Sequence, residues 1–248
     1  MKKTIIVSLL VLFLIVAAGF GYLYFSLNSL VKKGVETIGP RITRTDVKLG
    51  AAVLSPLSGS GRLLDLSIGN PQGFTGSAIT IGSMEIDVNE KTALSKTIVI
   101  DKILITSPEI SLIGTLTGNN LGKLIQNIKG YGSSKTQEGG DSSGNGSSRK
   151  FIVKKVVITG IRLRVAASAL DQNVSQTIPL SEIELENLGS GGNGISPAEI
   201  SEQILVPLIT DAIREGIGIL TNQGINTLKG QGLDQLNKAV KGISNLFK

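Results

Sequence analysis

The chain contains no cysteine and no histidine. The first absence removes disulfides and thiol nucleophiles. The second removes the side chain that most often serves as a general base near neutral pH, and together they remove nearly every zinc site. No metal or cofactor and no enzymatic activity are expected on this basis. A cysteine-free chain fits an oxidising compartment without requiring one. Aromatic residues are scarce as well: there are 3 Tyr and 6 Phe, and Phe13, Phe20, Tyr22, Tyr24 and Phe25 all fall in one N-terminal apolar run. The formal charge of +6 invites a nucleic acid partner. Too few aromatics are left elsewhere to build a base-stacking platform, so no nucleic acid is expected. The basic residues are read as solvated or as facing a membrane surface.

What the sequence does contain begins with length: 248 residues are enough for a sizeable core in one domain. With 31 glycines and many Ser/Asn-rich turns, a loop-rich β architecture is favoured over a helical bundle. Lys2 and Lys3 precede an apolar run from Ile5 to Phe25, interrupted only by Ser8 and two tyrosine hydroxyls. As a helix such a run spans roughly 31 Å, the thickness of a bilayer hydrocarbon core. Tyr22 and Tyr24 fall where an interfacial aromatic belt would lie. Val16-Ala17-Ala18 offers a rival reading as a signal-peptide cleavage site, but large apolar residues continue beyond it. Residues 1–28 are therefore expected to form an uncleaved transmembrane anchor. The positive-inside tally, Lys2 and Lys3 against Lys32, Lys33, Arg41 and Arg44, does not favour an inside N-terminus. Signal anchors of this shape usually place the remainder of the chain outside, which is the orientation expected here. Ser29 to Gly39 then reads as a short amphipathic helix with Leu30, Val31, Val35 and Ile38 on one side, ended by Gly39-Pro40. It would either plug the end of the sheet or lie on the bilayer.

The sheet itself is expected from Arg41 onward, within a first segment running to residue 130. Val47, Leu49 and Ala51, then Leu64, Leu66 and Ile68, then Met84, Ile86 and Val88 each alternate with polar residues or glycine. That is how a strand with one apolar face looks. Gly69-Asn70-Pro71-Gln72-Gly73 is a dense turn signal. The alternation slips by one residue between Ile79/Ile81 and Met84/Ile86, and again between Ile98/Ile100 and Ile103/Ile105. A one-residue slip exchanges the two faces, so bulges or turns are required at Gly82 and near Asp101. A short Asn-capped helix follows at Asn119, with Leu121, Leu124, Ile125 and Ile128 on one side.

Thr37–Thr43, Gly59–Leu63, Ile68–Phe74, Ile98–Ile103 and Pro108–Ile110 resemble, in order and spacing, the short single-anchor members of the bacterial AsmA family. The Ile-Gly-Asn-Pro-x-Gly-Phe turn with the downstream Ile-Val-Ile-x-x-Ile carries most of the likeness, which covers most of the chain. The resemblance implies a protein of the bacterial inner membrane, its bulk in the periplasm. It also implies a sheet curved into an apolar trough as in chorein-like lipid-transfer folds, with a role in phospholipid movement and outer-membrane biogenesis. It supplies no catalytic residues. The chain is shorter than the larger members and has fewer strands.

Residues 131–150 are almost free of apolar side chains and read as a flexible Gly/Ser linker. A second sheet segment, 151–195, carries Arg162 and Arg164 on one strand and Glu182, Glu184 and Glu186 on another. A hairpin near Asp171-Gln172-Asn173 would set these opposite each other as an ion-pair ladder, a more ordinary use of such rows than acid–base chemistry. Gly189-Ser190-Gly191-Gly192-Asn193-Gly194 formally matches a dinucleotide fingerprint but lacks the parallel strand–helix context, and Gly118 to Lys123 fails as a phosphate loop for want of a spacer residue and a Ser/Thr. In the C-terminal helical region, 196–248, Ser196-Pro197-Ala198-Glu199 is a strong helix start. An apolar stripe from Ile200 to Ile213 follows, with a bend expected at Pro207, and a basic amphipathic stretch runs from Ile225 to Lys248.

The fold expected is α+β and mostly antiparallel: a transmembrane helix, a curved trough-like sheet and C-terminal amphipathic helices. About nine strands at ~4.8 Å would give a trough of roughly 43 Å. The function expected is passive binding or transfer of membrane phospholipid, with no particular lipid-binding residues singled out. The alternative is a scaffold that binds another envelope protein through its sheet edge or C-terminal helix. Oligomeric state is left open.

Overall fold

The computed structural model describes residues 26–115, 118–137, 149–169 and 172–227. The apolar run Ile5–Phe25 and the last amphipathic stretch from 228 onward lie outside them. Among the described residues, no helix is long and apolar enough to cross a membrane.

A first helix, α1, covers 26–43. Five strands follow: β1 (Val47–Ser55), β2 (Ser60–Gly69), β3 (Ser77–Val88), β4 (Thr97–Thr106) and β5 (Glu109–Thr115). A two-residue β6 (Gly118–Asn119) leads into α2 (Asn120–Gln137). The chain returns as β7 (Lys150–Thr159), β8 (Arg162–Ala169), β9 (Gln172–Pro179) and β10 (Ile183–Leu188), and closes with α3 (Pro197–Thr227). The class is therefore α+β with one open, mostly antiparallel sheet. It is mixed rather than purely antiparallel, because β4 pairs β7 and β5 pairs β8 in parallel. The excursion through β6 and α2 brings the chain back in the same direction, which is what a parallel neighbour requires.

Nine of the ten strand segments occupy only six rows, the two-residue β6 pairing with the end of β5 apart from them. β3 pairs along one edge with both β4 and β5 in a single unbroken register, from Ile79 opposite Ile110 to Asp87 opposite Lys102. β7 and β8 lie beside β4 and β5 with one constant offset, and β10 and β9 likewise lie beside β7 and β8. The rows are thus β1, β2, β3, β4–β5, β7–β8 and β9–β10. Five spacings of ~4.8 Å make the sheet about 24 Å across, against about 38 Å for the eight spacings between nine separate strands.

A crease crosses every row at the same level. The flanking registers put Gly50, Asp65, Gly82, Ser107, Gly160 and Ser181 side by side, and all six are exposed. Asp65, Ser107 and Gly160 have positive φ (53°, 51° and 64°), the left-handed region. Pairing continues through the break: the Ser107 N–H donates to the Thr159 carbonyl, the Arg162 N–H to that of Pro108, and the Leu180 N–H to that of Ile161. Glycine is needed beside the left-handed residues. A Cβ on Gly50 would lie 2.8 Å from Asp65 Cβ, and one on Gly160 would lie 2.9 Å from Ser107 Oγ. The crease inverts the alternation. Leu49, Ile81 and Ile161 lie on one side of it and Ala52, Leu63, Ile105 and Ile158 on the other, all buried on one face. A chain that alternated without interruption would have turned half of them to solvent.

The slip expected at Gly82 is one point on this line. The slip expected near Asp101 is a second, shorter irregularity. There the register shifts between Asp87 and Val88, Asp101 meets Lys154 at 2.6 Å, and Asn187 on the neighbouring row has φ 58°.

Three other expectations change. α1 does not stop at Gly39-Pro40: Thr43 Oγ1 donates to the Gly39 carbonyl and the Arg44 N–H to that of Pro40, closing one further turn. Gly39 serves close approach, since a Cβ there would lie 2.8 Å from Val47 Cγ1. The helix also does not plug the end of the sheet. It runs along the outer edge of β1, where Asn28 Oδ1 accepts from the Leu54 N–H, Lys32 Nζ donates to the Gly50 carbonyl, and Glu36 Oε1 accepts from the Leu49 N–H. Residues 28, 32 and 36 are one helical turn apart, so a single face of α1 satisfies an otherwise bare strand edge. Finally, the segment expected to begin a flexible linker at 131 is helical to Gln137 as the end of α2.

Candidate functional site

The feature with functional potential is the apolar face of the sheet, and its state differs along its length. On the β5–β8 side of the crease it is covered. Ile110, Leu163 and Val165 are 0 % exposed, as are Leu121 and Leu124 of α2 and Leu208, Ile209 and Ala212 of α3. These residues form one cluster with Ile79, Ile81, Leu112 and Ile128. Each such side chain contributes about 1.5–3 kcal/mol by leaving water. α3 lies close on the sheet: a Cβ on Gly216 would come within 2.3 Å of Leu112 Cδ2.

Two local devices position these helices. Ser196 and Glu199 form a reciprocal cap at the start of α3, Glu199 Oε2 accepting from the Ser196 N–H at 2.7 Å and Ser196 Oγ from the Glu199 N–H at 3.3 Å. That backbone N–H, followed by the Ser196 hydroxyl, holds the Glu199 carboxyl below its ordinary pKa. At the start of α2, Asn119 Oδ1 accepts from the Gly122 N–H as the expected cap. Its neighbour Asn120 is fully buried, accepts from the Ile113 N–H, and donates to the Ser111 carbonyl and to Asn70 Oδ1. Sequence pattern showed only an asparagine pair. That the second ties α2 to β5 and to the 70–76 turn depends on tertiary placement.

Beyond the crease the cover thins. Ile105, Val153, Val156 and Ile158 are buried, but Met84, Ile86, Val88, Ile183, Leu185 and Leu188 are only half-buried. Val31 and Val35 of α1 pack near Leu49, Leu63, Met84 and Ile86.

The polar candidates do not converge. β8 and β9 pair antiparallel as expected, the turn at 170–171 lying outside the described residues, but the register sets Arg162 opposite Pro179 and Arg164 opposite Thr177. The glutamates lie past the crease, Glu182 just before β10 and Glu184 and Glu186 on it, beside β7 rather than β8. Arg162 pairs with Glu109, and Glu184 pairs with Lys155. The Lys155 hydrogen bond lowers the Glu184 pKa, and the same bond raises that of Lys155. The expected Arg–Glu ladder is thus replaced by two separate exposed pairs. An open groove of about 510 Å³ on the outer face is lined by Ser77, Thr80, Glu109, Ser111, Arg162, Arg164 and Thr177. Its walls are mostly polar, a poor lining for an acyl chain. Among the described residues no three His, Cys, Asp or Glu side chains gather as metal ligands. Gly189–Gly194 forms the turn after β10, with Gly189 and Gly194 at φ 77° and 86°, and Ile195 bridges back to Phe151 before α3 starts. Its glycines serve that turn.

No protein-family model, no curated protein and no solved structure matches the chain.

Proposed function

We propose that this chain is a bilayer-tethered, non-enzymatic scaffold of the bacterial envelope, of AsmA type, held by residues 5–25 in the inner membrane with its sheet domain in the periplasm. The observation that carries the choice of scaffold over carrier is the packing of α2 and α3 on the apolar face. Where the resemblance leads one to expect an open trough, Leu121, Leu124, Leu208 and Ile209 fill the space an acyl chain would need. Lipid carriage on this stretch would require these helices to leave the sheet and expose a cluster whose members each cost about 1.5–3 kcal/mol to rehydrate. A sheet about 24 Å across is also shorter than a bilayer hydrocarbon core of about 30 Å.

The second reading, passive phospholipid binding in support of outer-membrane biogenesis, has one specific observation in its favour. Met84, Ile86 and Val88 form a half-buried apolar row beyond the crease, where neither α2 nor α3 provides full cover. Full-length protein reconstituted in vesicles and mixed with acceptor vesicles separates the two. A scaffold leaves the spontaneous rate of labelled-phospholipid exchange unchanged. A protein-dependent acceleration that disappears in Met84→Glu/Ile86→Glu would establish carriage instead.

A further inference from the structure

At one end of the sheet, four features meet. The β1–β2 turn carries Leu57, 88 % exposed, and the β3–β4 connection carries Leu94, 91 % exposed. These are the two most exposed large apolar side chains among the described residues. Both loops lie at the same end, since Ser60 is opposite Asp87 and the Val88 N–H donates to the Gly59 carbonyl. The same end holds Lys91, Lys96, Arg149 and Lys150, because β4 and β7 start side by side and the Lys150 N–H donates to the Lys96 carbonyl. Against these four basic residues the loops offer Glu90, with Glu199 at the start of α3 lying 4.0 Å from Lys150.

The fourth feature is the entry point of the N-terminal run. α1 is antiparallel to β1 along the sheet edge, with Glu36 at Leu49, Lys32 at Gly50 and Asn28 at Leu54. Its first described residues therefore lie three positions from the turn that bears Leu57. The apolar segment Ile5–Phe25 joins the fold at the end where Leu57 and Leu94 protrude, not at the end of the 70–76 turn and α2.

One exposed leucine on a loop tip is ordinary, but these two share one end and neither packs into the apolar clusters of the described residues. Two of them at one end, set among cations and next to a bilayer-length apolar run, match a surface that meets lipid headgroups and dips its apolar tips into the interface. We propose that this end of the sheet rests on the bilayer that holds the anchor, with Leu57 and Leu94 inserted at the headgroup boundary and Lys91, Lys96 and Arg149 against anionic lipid. The inference rests on the anchor reading. It adds an orientation: the strands stand on the membrane, and the end with α2 and the Asn70–Gly73 turn points away.

The chain has no tryptophan and no cysteine, so single reporters are unambiguous. Leu57→Trp, Leu94→Trp and, at the opposite end, the exposed Gln72→Trp would be placed in the full chain. Each would be reconstituted in phosphatidylcholine vesicles containing about a third phosphatidylglycerol, with and without acyl-brominated lipid. The expected result is emission at 57 and 94 quenched by brominated lipid roughly twofold or more, with the Gln72→Trp variant unquenched. A nitroxide on Ser58→Cys gives a reading free of any pull from the added indole: it should collide more with lipid-soluble oxygen than with a water-soluble nickel chelate. Co-flotation of the protein with vesicles after alkaline extraction reports the anchor separately. Anchored protein whose three reporters respond alike overturns the orientation and leaves the anchor standing. Protein that fails to float overturns both. Emission at 57 and 94 that shifts only when a soluble envelope extract is added, with no lipid quenching, overturns the proposal in favour of a protein contact.

Discussion

The two halves of the sheet, separated by the crease from Gly50 to Ser181, are built from the same kind of strand and finished differently. In the half away from where the N-terminal run enters, α2 and α3 press on β5 and β8 until Ile110, Leu163 and Leu208 have no exposed surface. In the half where the N-terminal run enters, Met84, Ile86, Leu185 and Leu188 stay half-buried, and Leu57 and Leu94 stand in solvent. The difference lies in what covers the strands, not in their composition. The contrast teaches that the greasy face of a β-sheet is not by itself a ligand site. Its use depends on which stretch the chain leaves for something else.

Mutations in the two halves should separate accordingly. Leu163→Ala and Leu208→Ala each remove a fully buried side chain and should cost about 2–5 kcal/mol in urea unfolding of the full chain in detergent. Met84→Ala should cost less than about half as much, since part of its surface already meets solvent. Equal losses at the two places would erase the comparison.

The crease comes next in size. Gly160→Val forces a β-branched residue to φ 64° with its Cβ 2.9 Å from Ser107 Oγ, and should cost about 1–3 kcal/mol. Gly82→Ala on the same line, where nothing lies within 4 Å of the added carbon, is the matched control and should be nearly neutral.

Smaller still is the cap that starts α3. Ser196→Ala should lose about 1 kcal/mol. The folded-state pKa of Glu199 is depressed, so the stability linked to it is present above the ordinary glutamate range and is lost as pH falls through the folded value. The penalty of Glu199→Gln, which removes the charge while Ser196 keeps both its backbone N–H and its hydroxyl, should therefore shrink on acidification in urea titrations run across that range, and a penalty constant in pH would remove the carboxylate from the account. Smallest of all, Leu57→Ser with Leu94→Ser should leave unfolding within about 0.5 kcal/mol of the parent, because neither residue packs on the fold.

Much of this was legible along the chain. The alternating runs are strands, the Asn70–Gly73 stretch is a turn, Ser196–Glu199 starts a helix, the parity slip near Asp101 is a register shift, and the slip at Gly82 is the crease, where the register is kept. What stayed hidden is non-local. Asp65 and Ser107 give no local sign of a left-handed backbone, and their alignment with Gly160 exists only once three registers are known. Arg162 and Glu184 sit on successive runs that suggest a ladder. The row order places Glu109 and Lys155 nearer to them. Leu57 and Leu94 are ordinary loop residues until the strands bring their loops to one end.

The most direct test of whether the apolar face is filled is amide hydrogen exchange on the full chain in lipid nanodiscs. If α3 is a permanent part of the core, its amides from Ile204 to Ile213 should exchange as slowly as those of Ile161–Val165, within about tenfold, because both open only with the whole fold. Exchange in α3 roughly a hundredfold faster than in β8 would mean that the helix lifts while the sheet stays intact. The apolar face would then be available for lipid after all.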